Sequence, residues 1–242
     1  YGHPSEFGYK DIIPMWKAEH FDPETLLGLF KAAGARYFTP CAVHHDNFDL
    51  WDSKYHRWNA VNMGPHKDLI GMWREAALRH GLRFGVTTHA ARAYSWMNVA
   101  NQSDTEGPLA GVPYDGDDPG YDDFYFKKHD DTSSAGPEDP PEGWKELWKK
   151  RMIDLIDNYH PDHFYFDGAI PFRGDMGKTG MEVIAHLYNH SMKKHGGRQE
   201  AVMCIKERPF TGYYVHEMTT LDYERGKAHD IRKKPWQTDD TI

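Results

Sequence analysis

Apolar positions along the chain recur with two alternating periods. Leu26, Leu27, Phe30 and Ala33 follow helical spacing behind Asp22-Pro23-Glu24, where an acid caps, proline occupies the first turn and Glu24 favours the helix dipole. Gly34 closes that helix, and "RYFTPC" (36 to 41) reads as a buried strand. A second helix is expected over about 67 to 80, with Leu69, Ile70, Trp73 and Ala77 on its apolar stripe, followed by strand "LRFGVTT" (82 to 88). Trp144, Leu147, Trp148, Met152, Leu155, Ile156 and Tyr159 mark a third, stopped by Pro161 before "HFYFDG" (163 to 168). The fourth spans about 180 to 195 and leads into "AVMCIKE" (201 to 207).

Four helix-then-strand units in succession predict an α/β fold with a parallel sheet. A closed barrel and a doubly wound sheet share that pattern, but no strand is followed by a glycine-rich phosphate loop. The expected architecture is therefore a (β/α)8-like TIM barrel, incomplete at both ends, with residues 1 to 242 as one partial domain. Residues 98 to 143 break the alternation. They are rich in Asp, Gly, Pro and Ser, and a loop of that length after a strand belongs on the face where barrel enzymes build their sites. Its acidic stretch "YDGDDPGYDD" lacks the ligand spacing and closing Glu of a calcium loop and is expected to be solvated.

The chemistry of a parallel barrel gathers at the C-terminal strand ends. Those ends carry His44 and His45 within "AVHHDNFDLWDSKY", His89, Asp167, then Lys206, Glu207 and Arg208, and further on "LDYERG" (221 to 226). Carboxylates converge there with imidazoles and aromatic rings, which suggests glycoside hydrolysis: one carboxylate as nucleophile or base, another as acid. Arg208 is a candidate clamp for substrate, and His89 reads equally as sugar ligand or packed side chain. An Asp before Gly at a strand end also occurs as a plain turn residue, and Trp51 reads as core or sugar platform. Metal ligation by His44, His45 and Asp46 is disfavoured, because neighbours on a strand point to opposite faces.

Composition narrows this further. A net charge of −8 with only scattered basic clusters disfavours nucleic-acid binding. No apolar run approaches a membrane helix, so no membrane partner is expected. Cys41 and Cys204 lie in expected strands as small apolar residues and make no disulfide framework. Residue 1 is Tyr, so the sequence is expected to be part of a longer chain whose leader is not included.

"HHDNFDLWDS" resembles the His-His-Asp-x-Phe-x-Leu-Trp-x-Ser signature of the α-L-fucosidases, glycoside hydrolase family 29. Residues 1 to 46 and the strand ending "FYFDG" are similar to that family as well. The resemblance covers nearly the whole chain and implies a retaining exo-glycosidase on a barrel, releasing terminal α-L-fucose from oligo- or polysaccharides without cofactor or metal. It implies Asp167 as nucleophile, His44 and His45 as ligands of fucose hydroxyls, and Trp51 in a sugar-facing loop. For the acid/base it points to Glu224, with Asp222, Glu217 and Glu207 as rivals. A fucosylated glycan substrate and an extracellular or periplasmic location are further implications. Family members carry a strand with a sugar-binding His and a Glu-Trp pair before this chain's first residue. They continue beyond "PWQTDDTI" into the last strands and often a β-sandwich. Two other readings stay open: a metal-dependent barrel hydrolase using His44, His89 and Asp167, and a catalytically silent fucose-binding barrel.

Overall fold

The computed structural model describes residues 1–131, 133, 136–206, 217–224, 230–231 and 233–239. Its centre is a parallel sheet of seven strands: β1 (Tyr37–Phe38), β2 (Cys41–Val43), β3 (Arg83–Thr88), β4 (His163–Phe166), β5 (Val202–Lys206), β6 (Thr220–Glu224) and β7 (Trp236–Asp239). Spatial order follows chain order, β1-β3-β4-β5-β6-β7, with β2 also on β3. Four longer helices alternate with them: α1 (Pro23–Ala32), α2 (Leu69–Arg79), α3 (Glu142–Tyr159) and α4 (Lys178–Lys194). Among the described residues the sheet curls without closing, as an incomplete TIM barrel. Among the described residues no helix is long and apolar enough to cross a membrane.

Local chemistry explains most boundaries. Asp22 accepts from the Thr25 N–H at 3.1 Å and Asp68 from the Gly71 N–H at 2.9 Å, so both helices start on a carboxylate cap. Helix α3 ends where His160 turns left-handed (φ 49°) ahead of Pro161. The strand expected over 36 to 41 is divided into β1 and β2, because Pro40 has no N–H for the ladder. Its carbonyl still accepts from the Thr87 N–H at 2.9 Å, which keeps both pieces on β3. Gly85 permits the close approach of β3 and β4: a Cβ there would lie 2.6 Å from the His163 carbonyl. The hydrophobic pattern shows no strand at β6 or β7, since "TLDYE" and "WQTD" are short and polar. Their pairing on β5 supplies what local propensity lacks.

Period-two alternation sorts every central strand. Phe164, Phe166, Met203, Ile205 and Leu221 face the helices and pack with Trp148, Leu155 and Ile184. The opposite face is polar and stacks in layers. At the bottom His163 meets Cys204 at 3.2 Å and Gln237 at 3.3 Å. Above it the Tyr165 hydroxyl donates to Asp222 at 2.8 Å. The top layer holds Asp167, Lys206 and Glu224.

The segment at 98 to 143 is more structured than its composition suggests. Phe124 and Tyr125 are fully buried in a second apolar cluster with Ile13, Trp58, Leu69 and Met97. Within the acidic stretch Asp123 pairs with Arg57 at 2.5 Å, and Asp115 accepts from the Tyr125 hydroxyl at 2.6 Å. Only part of it, including Asp117 and Asp118, meets the expectation of a solvated loop. Ring burial accounts for the rest, because each buried large apolar side chain contributes about 1.5–3 kcal/mol.

Candidate active site

Asp167 follows β4 directly, and its N–H donates to the Thr88 carbonyl at 2.9 Å, extending the ladder by one residue. This places the carboxylate at the mouth of the curled sheet. Lys206, the last residue of β5, is buried and lies 2.7 Å from Asp167 Oδ1 and 3.1 Å from Glu224 Oε1. Burial alone would raise the Asp167 pKa. The Lys206 ammonium, with His89 and His44, outweighs it and holds the carboxyl below its usual range.

Three imidazoles adjoin this pair. His89 Nδ1 lies 3.4 Å from Asp167 Oδ2 and 3.1 Å from His44 Nε2. The His44 and His45 rings are 3.9 Å apart between centroids, and the indole of Trp96 lies 4.0 Å from His45. Strand alternation would separate the two histidines. Strand β2 ends at Val43, however, and beyond it the backbone is free to turn both rings to one side. Nitrogens of His44, His45 and His89 all lie within 4.8 Å of one another, a spacing that could hold a metal ion. Burial, then His44, His89 and Arg92, push His45 down to about 3. Burial, partly opposed by Asp167, pushes His89 down to about 4. Both rings are thus neutral near pH 7, each with one donor and one acceptor nitrogen suited to sugar hydroxyls.

Trp51 is not at this site, contrary to expectation. It is fully buried, and its Nε1–H donates to Asp154 on α3 at 3.0 Å. The motif around it is mostly scaffold: Asn47, Phe48 and Asp49 are buried too, and Asp49 forms a dry ion pair with Arg151 of α3. Only the two histidines of that motif reach the strand-end cluster directly. Among the rival acids, Asp222 is buried one layer down, where it accepts from the Tyr165 hydroxyl, and Glu217 is exposed and paired with Lys234 at 3.2 Å. Glu207 and Arg208 lie outside the described residues.

Two neighbours had no role assigned from sequence. Lys206 is legible as a lone cation closing an apolar strand, a costly placement without a partner. Trp96 is half-exposed at 45%, with the Arg92 guanidinium 5.0 Å over its ring, and presents an aromatic face beside the imidazoles. The cavity beside Asp167 is lined by Thr88, His89, Arg92 and Phe166, and by Gly136 and Pro137 from the far end of the long segment.

A curled parallel sheet with an ion-paired carboxylate, a second carboxylate and imidazoles at its strand ends defines the class of barrel enzymes whose chemistry sits at that face. A family model described as Alpha-L-fucosidase matches residues 1–242, and the chain belongs to that family. It is 41% identical over 198 residues to the alpha-L-fucosidase of Branchiostoma floridae, covering 79% of this chain and 36% of that protein. To the tissue alpha-L-fucosidase of Bos taurus it is 36% identical over 193 residues, covering 79% and 34%. The Thermotoga maritima alpha-fucosidase bound to a mechanism-based inhibitor superposes with a TM-score of 0.64 at 26% identity, over 98% of this chain and 44% of the other. The complex of the same enzyme with fucose gives 0.61 over 95% and 43%. The chain therefore spans about a third of the length of these curated relatives.

Proposed function

We propose that the protein is a retaining exo-α-L-fucosidase acting on terminal fucosyl residues of oligo- or polysaccharides, with Asp167 as nucleophile and Glu224 as acid/base. One observation carries the assignment: both carboxylates contact the same ammonium, at 2.7 and 3.1 Å. Their contacting oxygens therefore lie at most about 6 Å apart, which agrees with the 5–5.5 Å carboxyl spacing of retaining glycosidases better than with the roughly 6.5–9.5 Å of inverting ones. Family membership supports the sugar, and the relatives' names support an α-L-fucoside.

In this reading Asp167 attacks the anomeric carbon while Glu224 gives its proton to the departing oxygen. The fucosyl ester that forms is neutral at Asp167. Esterification removes the Asp167 charge that faces Glu224 across Lys206, so the field at Glu224 changes between the two steps in the sense that acid and then base action requires, and Glu224 then takes a proton from the attacking water. His44, His45 and His89 bind sugar hydroxyls, Trp96 offers an apolar ring face, and Arg208 is kept as a substrate contact. Residues 98–143 shape the aglycone side, which the approach of Gly136 and Pro137 supports. An extracellular or periplasmic site of action belongs to the same reading.

Azide tests the two roles with an aryl α-L-fucoside. Asp167→Gly loses turnover, and azide restores it by entering from the vacated face to give the inverted β-fucosyl azide. Glu224→Ala accumulates the fucosyl-enzyme, and azide attacks that ester to give the retained α-azide. Exchanged products would reverse the roles, and unimpaired turnover in Asp167→Gly would remove the nucleophile. The spacing of the three imidazoles favours a second reading, metal-assisted hydrolysis. Activity unchanged after chelation refutes it.

A further inference from the structure

The geometry points to a zinc-binding site on the outer helix layer, formed by Asp157 of α3 with His186 and His190 of α4, away from the strand-end cluster. His186 and His190 are four residues apart on one helix and so share a face. Asp157 projects from the last turn of α3 into the gap between them. Its Oδ1 lies 2.7 Å from His186 Nε2 and 3.4 Å from His190 Nδ1, and donor atoms of all three lie within 4.8 Å of one another.

Zinc bound by imidazole and carboxylate at about 2.0–2.2 Å in tetrahedral geometry holds its donors roughly 3.3 Å apart. The His190 pair already has that spacing, and the His186 pair opens by about half an ångström to reach it. Asp157 and His186 are partly exposed, with side chains 50% and 35% accessible, which leaves an entry path and a fourth position for water. The orientation of His190 is set from behind. Its Nε2 is 2.7 Å from His160 Nδ1, and the two rings lie nearly parallel, 16° apart, with centroids separated by 4.8 Å. A ligating imidazole needs this arrangement, with one nitrogen on the metal and the other hydrogen-bonded to a partner that fixes ring and tautomer. Two imidazoles and one carboxylate suit zinc better than calcium or magnesium, which take oxygen ligands.

The site lies at the opposite end of the barrel from the catalytic face. Helix α3 runs back from the strand tops, so Asp157 and His160 stand just before the start of β4, whereas Asp167 stands just past its end. That is the face of a barrel associated with stability rather than catalysis. A zinc ion here clips α3 to α4, and the inference is independent of the fucosidase reading.

Titration of zinc into chelator-treated protein, followed by calorimetry and thermal melts, tests it. The protein takes up one equivalent at this site and melts higher with zinc, and magnesium gives neither effect. His186→Ala and His190→Ala abolish that uptake with unchanged circular dichroism and unchanged aryl-fucoside turnover. His160→Ala, which removes only the orienting partner, weakens affinity roughly 10- to 100-fold. His44→Ala retains the uptake. Absence of stoichiometric uptake overturns the proposal. So does uptake that survives His186→Ala and disappears in His44→Ala, which would assign the ion to the strand-end imidazoles.

Discussion

Asp49→Ala isolates the scaffold beneath the strand-end histidines. Asp49 and Arg151 are both fully buried and paired directly, with Arg151 Nε–H donating to Asp49 Oδ2 at 3.2 Å. The guanidinium also donates to Asn47 at 2.8 Å, and His56 Nδ1 lies 3.6 Å from the same carboxylate. Removing the carboxylate strands a guanidinium that water does not reach, a change that costs about 3–5 kcal/mol. That is about a fifth or more of a stability of about 5–15 kcal/mol. At about 2–4 °C per kcal/mol for a domain of this size, the midpoint falls by roughly 6–20 °C. Urea and thermal unfolding read by tryptophan emission suit the measurement, since Trp144 lies 5.7 Å from the Arg151 guanidinium. The double substitution Asp49→Leu with Arg151→Met should recover most of the loss, because an apolar pair leaves no charge stranded. A loss below about 1 kcal/mol in Asp49→Ala would refute the reasoning, since it is what a solvated surface pair gives.

Two further outcomes follow from the charges at the strand ends. Lys206→Met removes the partner that outweighs burial at Asp167, so Asp167 keeps its proton to higher pH and the acid limb of kcat/KM moves up; an unmoved limb would show that Lys206 does not set the nucleophile's ionisation. His45 and His89 stay neutral in the fold down to about 3 and about 4, against 6.5 for a free imidazole. Below pH 6.5 the unfolded chain thus binds more protons than the folded one, and stability falls as pH drops from 6.5 toward 4. Melts across that window should show the decline, with a shallower slope in His89→Gln; stability that rises in acid would contradict the burial of these rings.

Local pattern made the helices, the central strands and the strand-end position of Asp167 legible, because apolar period and capping chemistry are written in neighbouring residues. It left β6 and β7 unread, whose polar sequences become strands only through their partners. It left Trp51 open between core and sugar platform, and the family resemblance pointed to the sugar, although the same "HHDNFDLWDS" run divides between a pair of site histidines and a buried anchor on α3. Residue types alone do not distinguish those roles, since the docking of α3, a hundred residues away in sequence, decides them.

The run of apolar rings makes "HFYFDG" legible as a buried strand ending in an acid, with side chains alternating between two faces. What meets that acid is settled by strands far away in the chain. Which residues of β4, β5 and β6 share a layer depends on register and strand tilt: Lys206 is the ladder partner of Asp222, yet its ammonium lies one layer above, within reach of both Asp167 and Glu224. Alternation is set by bond geometry within one strand. Register is set by the packing of distant helices and the curl of the sheet, and no local stretch of sequence encodes it.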